Sequence, residues 1–460
     1  MHRLILPWPL LGLGLLLAWS TISQAAEAQR TYDLRSRPAA GQIERVEATL
    51  EAGGNLIVSP DPKHEKPKIS VAAKLNYDEK LLEVADGAPI RSIRYYDTAE
   101  AVIKGSDAEV KPTLRPQRRL IGAATDGRQI TLFSPHGPLT RDELDLVDVL
   151  GSSLLVDRLL PQKPVALEAT WSHGKDLMAA LFGLEEVTRT DVKSKLASVK
   201  GNSAIVEISG QVEGSIGGAA AAISMKAKYR FDFRTRRINW FGLAVHEKRT
   251  EGHALQGFDL VARLQMQIFP KAQSEHLSEA APEDLSLEPT PELTQLSYQP
   301  PGGGWQFTYD RRWFVTVDEH DQAVLRLVDG GDGVANCTVS SLAKLADGKE
   351  VTRAQFQEDI KRALGESFGQ FLSAGQWAGA TNYRIFRVVI QGSIKAKLQD
   401  KPSELPIEWH YYRVADEHGR QVVFAFTVEE PMVQRLGEED KELVETLRFS
   451  EPAVADKGRK

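Results

Sequence analysis

The sequence predicts an α+β protein of two folded units, each built on antiparallel β-sheet. Three observations carry that expectation. Apolar and polar residues alternate over long stretches, two capping-box signatures open helices among them, and one proline- and acid-rich stretch divides the chain. At 460 residues the chain also exceeds what a single hydrophobic core usually supports.

The first element is an export signal. Met1-His2-Arg3 is a short, weakly basic start, and Leu4 to Trp19 is almost wholly apolar. Ser23-Gln24-Ala25-Ala26 and Ala26-Glu27-Ala28 both offer the small side chains that signal peptidase accepts. Residues 1–25 are therefore expected to be a secretory signal peptide, with cleavage at Ala25 or Ala28 both open, and the mature chain to be periplasmic or secreted. Pro7 and Pro9 interrupt the run, which falls short of the roughly 18 residues of a membrane anchor. No later segment approaches that length, so no transmembrane span is expected after cleavage.

Residues 30–270 read as a β-rich unit. Met225, Ala227, Tyr229, Phe231 and Phe233 share one parity while Lys226, Lys228, Arg230, Asp232 and Arg234 take the other, the pattern of a strand with one wet and one buried face. Ile69, Val71, Ala73 and Leu75 repeat it, as do Ala204, Val206 and Ile208. Turns are expected at Gly53-Gly54-Asn55, Asp126-Gly127, Lys200-Gly201-Asn202 and Arg234-Thr235-Arg236. Thr140 and Glu143 form a capping box opening a helix through Leu144, Val147 and Leu150; a short helix follows from Ser153 to Leu160, and a third from Lys175 to Leu181. A curved, one-sided sheet needs a cover, and these helices supply it.

Residues 271–304 carry Pro282, Pro289, Pro291, Pro300 and Pro301 among acidic residues, and are expected to be an extended connector. The second unit, 305–449, shows strands at Trp305–Tyr309, Ala323–Leu327, Val334–Leu342, Arg384–Gln391, Ile407–Val414 and Val422–Val428. A helix opens at Thr352 with Gln355 at capping-box spacing, and another runs from about Val433 to Leu447. An early and a terminal helix around one antiparallel sheet suggest an α/β/α sandwich, followed by a charged tail at 450–460. Cys337 lies on the apolar parity of its strand and is expected to be buried.

Gly304-Trp305-Gln306-Phe307-Thr308-Tyr309, the turn Asp310-Arg311-Arg312 into Trp313-Phe314, the strand Trp409-His410-Tyr411-Tyr412 and the closing Leu447-Arg448-Phe449 together resemble the PsbP-like α/β/α sandwich. In the first unit, Leu160-Pro161-Gln162-Lys163-Pro164-Val165 through Thr170-Trp171, followed by long alternating hairpins, is similar to the LolA-like half-barrels of exported bacterial proteins. These resemblances imply binding of lipids, pigments or proteins rather than catalysis, and carry over no site residue.

A search for chemistry nominates no catalytic, metal or cofactor residue. His246-Glu247 and His253 lack the one-turn spacing of a zinc helix. Asp329-Gly330-Gly331-Asp332-Gly333 lacks the distal glutamate of a calcium loop and reads as a turn. No Gly-x-Ser-x-Gly elbow occurs, and Gly214-Ser215-Ile216-Gly217-Gly218 lacks the Lys-Ser/Thr of a phosphate cradle and reads as a hairpin tip. Arg115-Pro116-Gln117-Arg118-Arg119 and Arg234-Thr235-Arg236-Arg237 are basic enough for anionic headgroups, with solvated charge as the plainer reading. A formal net charge of −6 gives no basic face for nucleic acid.

Three functions fit these residues. The first is a non-catalytic extracytoplasmic binding protein for an apolar or lipid-like ligand, lined by Leu181, Tyr229, Phe231, Phe233 and Trp240, or else with those residues filling a solid core. The second is an envelope scaffold docking a protein partner near Trp409 and Tyr411. The third is a hydrolase whose site assembles only in space.

Overall fold

The computed structural model describes residues 30–57, 66–106, 108–277, 286–346, 351–379, 383–398 and 401–452. The expected signal peptide at 1–25 lies outside the described residues, as do residues 453–460 of the tail. The chain is mostly antiparallel β-structure in several open sheets.

The first unit begins with β1 (Thr31–Tyr32), β2 (Ile43–Ile57), β3 (Lys68–Ala85), β4 (Ala88–Lys104), β5 (Glu109–Val110), β6 (Leu120–Thr125) and β7 (Ile130–Phe133). Helices α1 (Arg141–Val147) and α2 (Ser153–Val156) follow, then β8 (Val165–Ala166), β9 (Thr170–Ser172) and helix α3 (Lys175–Phe182). The remaining strands are β10 (Glu186–Thr190), β11 (Lys193–Lys200), β12 (Ser203–Ile216), β13 (Ala219–Asp232), β14 (Arg237–Arg249) and β15 (Gly257–Lys271). Thirteen of these strands make one sheet, ordered β7-β6-β4-β3-β2-β15-β14-β13-β12-β11-β9, with β5 on β4 and β10 on β12.

The alternation in β13 sets the faces of that sheet. Met225, Ala227, Tyr229 and Phe231 are buried while Lys226, Lys228 and Arg230 are exposed. Helices α1, α2 and α3 lie on the buried side, where Leu144, Leu155, Met178 and Phe182 join Leu75, Tyr229 and Phe241 in one core. Each such aliphatic or aromatic side chain contributes roughly 1.5–3 kcal/mol by leaving water. Thr140 caps α1 through the predicted box with Glu143, but the helix ends at Val147, before the expected Leu150.

Charge also enters this core. Glu79 and Arg94, each at most 2% exposed, pair at 2.8 Å, with Ser92 donating to Glu79 and Ser152 accepting from Arg94. Nearby, Arg237 donates to Glu44 at 2.9 Å and lies 2.8 Å from Asp157, which also accepts from Ser36.

Two sequence expectations are corrected here. Gly53-Gly54-Asn55 is not a turn but the paired interior of β2, opposite Ser70, Ile69 and Lys68 on β3 and opposite Leu260 and Asp259 on β15. A Cβ on Gly54 would run into the carbonyl oxygen of Asp259, so glycine is there to admit a neighbouring backbone. Nor is 271–304 an extended connector in its described parts. Lys271 and Ser274 both donate to Asp78 at 2.6 Å. Pro291 then opens the single-turn helix α4 (Pro291–Thr294), where proline's missing N–H is harmless. Strand β16 (Leu296–Tyr298) follows, and Ser297 donates its N–H to the Leu139 carbonyl of the first unit at 2.7 Å.

The second unit contains β17 (Gly303–Tyr309), β18 (Trp313–Asp318), β19 (Gln322–Asp329), β20 (Asp332–Leu342) and α5 (Arg353–Leu364). It continues with β21 (Phe368–Ala378), β22 (Arg384–Leu398), β23 (Lys401–Ala415), β24 (Gln421–Glu429), α6 (Val433–Leu436), α7 (Glu439–Glu445) and β25 (Arg448–Pro452). Seven strands form one sheet, β18-β19-β20-β24-β23-β22-β21, and β16-β17-β25 form a small second sheet. On one face, Phe356 and Ile360 of α5 pack with Phe386, Val388, Ile390, Ile407 and Trp409. On the other, Leu436, Leu443 and Val444 of α6 and α7 pack with Tyr412, Phe424 and Phe426. The single helix expected from Val433 is split at Gly437, whose φ of 55° is left-handed.

Candidate binding cleft

The five predicted lining residues do not surround one common cavity: Leu181 lines the cleft between α1, α3 and β18 and Trp240 an outer groove, while Tyr229 and Phe231 are packed in the core. Leu181, Tyr229 and Phe231 are at most 1% exposed inside the continuous core, and Phe233 packs against its edge. A gap among Tyr77, Tyr96, Val147 and Met266, beneath the helices, is only about 10 Å³. Trp240 does not join them. A register shift between Arg230 and Phe231 accompanies Phe241, Leu243 and Val245 turning inward, which leaves Trp240 on the outer face beside Lys226, Lys228 and Arg263. Its ring lies across Gly242, where a Cβ would collide with it.

Trp409 is likewise corrected as an exposed partner surface. It is 6% exposed because α5 covers that face of the sheet, and Tyr411 packs against the same cluster. Both basic clusters are largely consumed internally. Arg115 makes a bidentate pair with Glu143 at 2.5 Å, Arg118 donates to the Pro138 carbonyl, Arg236 reaches Asp33 and the Arg35 carbonyl, and Arg237 is buried. Asp329 and Asp332 flank a two-residue glycine turn and are both held by Arg435. No group of three or more metal-ligating side chains occurs among the described residues. Cys337 is fully buried, and burial pushes its thiol well up.

Open grooves of about 530 and 500 Å³ lie beside Trp240 and beside Arg158, and a larger one lies where the two units meet. A cleft of about 670 Å³ opens between α1, the C-terminal end of α3, the loop after β14 and the edge strand β18. That size lies within the roughly 300–1,000 Å³ of small-molecule sites. Its apolar walls come from Val149, Leu150, Leu184, Leu255, Phe314 and Val315. Its polar groups are Arg128, Arg141, Asp145, Asp148, Glu185 and Arg249.

Local sequence places these groups. The capping box starts α1 at Arg141, so Arg141 and Asp145 fall one turn apart on one side while Leu144 and Val147 turn into the core. Arg141 ties the units together: it donates to the Arg311 carbonyl at 2.9 Å, and its guanidinium sits 5.0 Å from the centre of the Phe314 ring. Arg311 reaches back, donating to the carbonyls of Thr294 and Leu132. A second contact closes the far side. The Gly217-Gly218 hairpin tip abuts the Gly330-Gly331 turn, and Arg326 donates to the His253 carbonyl.

The acidic groups are the unusual ones. The cleft walls push the Asp145 carboxyl up, with Arg141 opposing and Asp148 and Asp142 adding, but its side chain is 65% exposed and water offsets most of that push. Asp148, also exposed to solvent, is pushed the same way by the neighbouring walls, and Arg311, Arg94 and Arg141 oppose it. Of this site sequence reasoning named only Leu181, because the other walls come from α1, the loop after β14 and β18, which fold together only in space. The one local signal was the Asp142-Glu143-Leu144-Asp145-Leu146-Val147-Asp148 run, an acidic helix with an apolar stripe.

No protein-family model and no curated protein matches the chain. Among solved structures, a Bacteroides thetaiotaomicron protein is similar at 14% identity over 34% of this chain and 48% of its own, with a TM-score of 0.23. The Saccharomyces cerevisiae Ran-binding protein Mog1p is similar at 8% identity over 34% of this chain and 95% of its own, TM-score 0.26. A chain of the Pseudomonas aeruginosa MucA/MucB complex aligns at 10% identity over 88% of this chain and 94% of its own, TM-score 0.14. This chain thus spans about half of the Bacteroides protein.

Proposed function

We propose that this chain is a non-catalytic, extracytoplasmic binding protein whose ligand sits in the cleft between its two units. One observation carries the reading: about 670 Å³ with apolar walls, Leu181 among them, stands open between α1, α3 and β18, while Tyr229 and Phe231 are packed in the core. The ligand position therefore moves from the sheet interior expected from sequence to the seam beside it. Export rests on the apolar run from Leu4 to Trp19 and the Ala25 and Ala28 cleavage patterns. The one-sided sheet under three helices supports the LolA-like comparison, and the sheet between α5 and α6–α7 supports the PsbP-like one.

Two measurements test the reading. Sequencing the N-terminus of the native protein from an envelope fraction should start near Ala26 or Gln29; an intact Met1 in the cytosolic fraction overturns export. Native extraction and mass spectrometry should recover a bound apolar compound from the wild type but not from Phe314→Arg, which fills the cleft. A wild-type protein that is repeatedly empty sinks the binding reading.

A further inference from the structure

We infer that the outer face of the large sheet carries a second binding site, a trough beside Trp240 that takes a uronic-acid unit of an acidic glycan. It lies on the side of the sheet away from the helices and does not rest on the cleft between the units. Residue size builds the trough. Gly242 and Ala244 put almost no side chain on the outer face of β14. Their register partners are long: Lys228 and Lys226 on β13, Gln265 and Arg263 on β15. Trp240 stands at one end and lays its ring across Gly242. The open volume among these rows is about 530 Å³.

Charge sets the sign of the ligand. The lining holds three cations against one carboxylate, Glu207, which already pairs with Lys228 at 3.0 Å. Lys226 and Arg263 face each other across Ala244, are exposed, and make no hydrogen bond or ion pair among the described residues. Glu51, the register partner of Arg263 on β2, makes no ion pair with it. The trough is thus net positive with two cations unengaged, and its complement is an anion. Trp240 selects what carries that charge. Its indole N–H donates to no group among the described residues, whereas Trp171 and Trp305 donate theirs within the protein. A half-open aromatic ring beside amide and ammonium donors suits a sugar, which has an apolar C–H face and hydroxyls around its rim. A greasy acid would gain little from a trough this open, because water keeps reaching its apolar body.

The test is calorimetric titration of the mature chain, at low salt and neutral pH, with trigalacturonate and with its methyl ester, which keeps the sugar rings and removes the charge. The acid should bind about fivefold more tightly than the ester, a preference that shrinks in high salt because the cations are exposed. Lys226→Gln/Arg263→Gln should bring that ratio to about twofold or less. Trp240→Ala should weaken both sugars by about fivefold while keeping the ratio. Thermal unfolding, followed in parallel, should show both variants folded, and Phe314→Arg in the cleft should leave both affinities unchanged. The site is wrong if the wild type takes up neither sugar, if the ester binds as tightly as the acid, or if either variant behaves as the wild type. Tripolyphosphate binding as tightly as trigalacturonate, with no loss in Trp240→Ala, would reveal plain attraction of polyanions and overturn the sugar assignment.

Discussion

The two large sheets solve the same problem in opposite ways. The thirteen-stranded sheet buries one face under helices and keeps the other wet, so β13 reads Met-Lys-Ala-Lys-Tyr-Arg-Phe, every second residue polar. The seven-stranded sheet has helices on both faces, so β22 reads Ile385-Phe386-Arg387-Val388-Val389-Ile390, with all five apolar side chains buried. The one-sided sheet nonetheless carries the ion pairs Glu79–Arg94 and Glu44–Arg237 inside its core. Among the described residues of the two-sided sheet, the most buried charge cluster is Asp440 with His410 at 2.5 Å and Tyr412 at 2.6 Å. Alternation therefore reports how many faces are covered; it does not report whether the covered face is apolar.

The sharpest way to break this comparison is to strand a buried charge. Glu79→Ala leaves the Arg94 guanidinium in the core without a carboxylate, held only by Ser152, Ser153 and the Tyr77 and Tyr96 side chains, and should destabilise the first unit by about 3–5 kcal/mol in urea denaturation. A loss below about 1 kcal/mol would mean that water reaches Arg94. Trp409→Ala tests the second unit. Removing the side chain under α5 should lower stability by about 3–5 kcal/mol, with amide exchange of Arg353–Leu364 accelerated while that of the large sheet is unchanged.

The next effect depends on pH. Burial pushes the Glu44 carboxyl up to about 7 from 4.5, so its favourable contribution is complete below pH 4.5 and lost as pH rises through 7. Burial holds the His173 imidazole at about 4 instead of 6.5, so its contribution is present above pH 6.5 and lost as pH falls through 4. Glu44→Gln should remove the neutral-side decline in the stability–pH curve and His173→Gln the acid-side decline; parallel curves for wild type and both variants would refute the assignment. The smallest effect belongs to the wet face. Lys228→Ala breaks an exposed pair with Glu207 at 3.0 Å and should change stability by no more than about 1 kcal/mol, less still in high salt.

What could be read from the sequence was what is encoded locally. Thr140 with Glu143 and Thr352 with Gln355 fix helix starts within four residues, and both boxes form. The Lys200-Gly201-Asn202 and Arg234-Thr235-Arg236 turns join strands as expected. The Gly53-Gly54-Asn55 expectation failed because glycine serves two purposes, and close approach to Asp259 is invisible before β15 is placed beside β2. Strand β21 went unread because Phe368-Gly369-Gln370-Phe371-Leu372-Ser373 has no period-two pattern; it is the sheet's edge, with few buried positions to impose one. The cleft was hidden for a related reason: Asp145 and Phe314 become neighbours only when Arg141 and Arg311 clasp the units together.

Cys337 is the sole thiol of the chain, and it lies sealed between Leu325 and Phe426 in the middle of the seven-stranded sheet. A colourimetric thiol reagent can reach that sulfur only when the sheet parts. The labelling rate of the unmodified protein is thus a stopwatch for the opening of that sheet, running without any engineered dye, and a ligand that holds β18 in place should slow it.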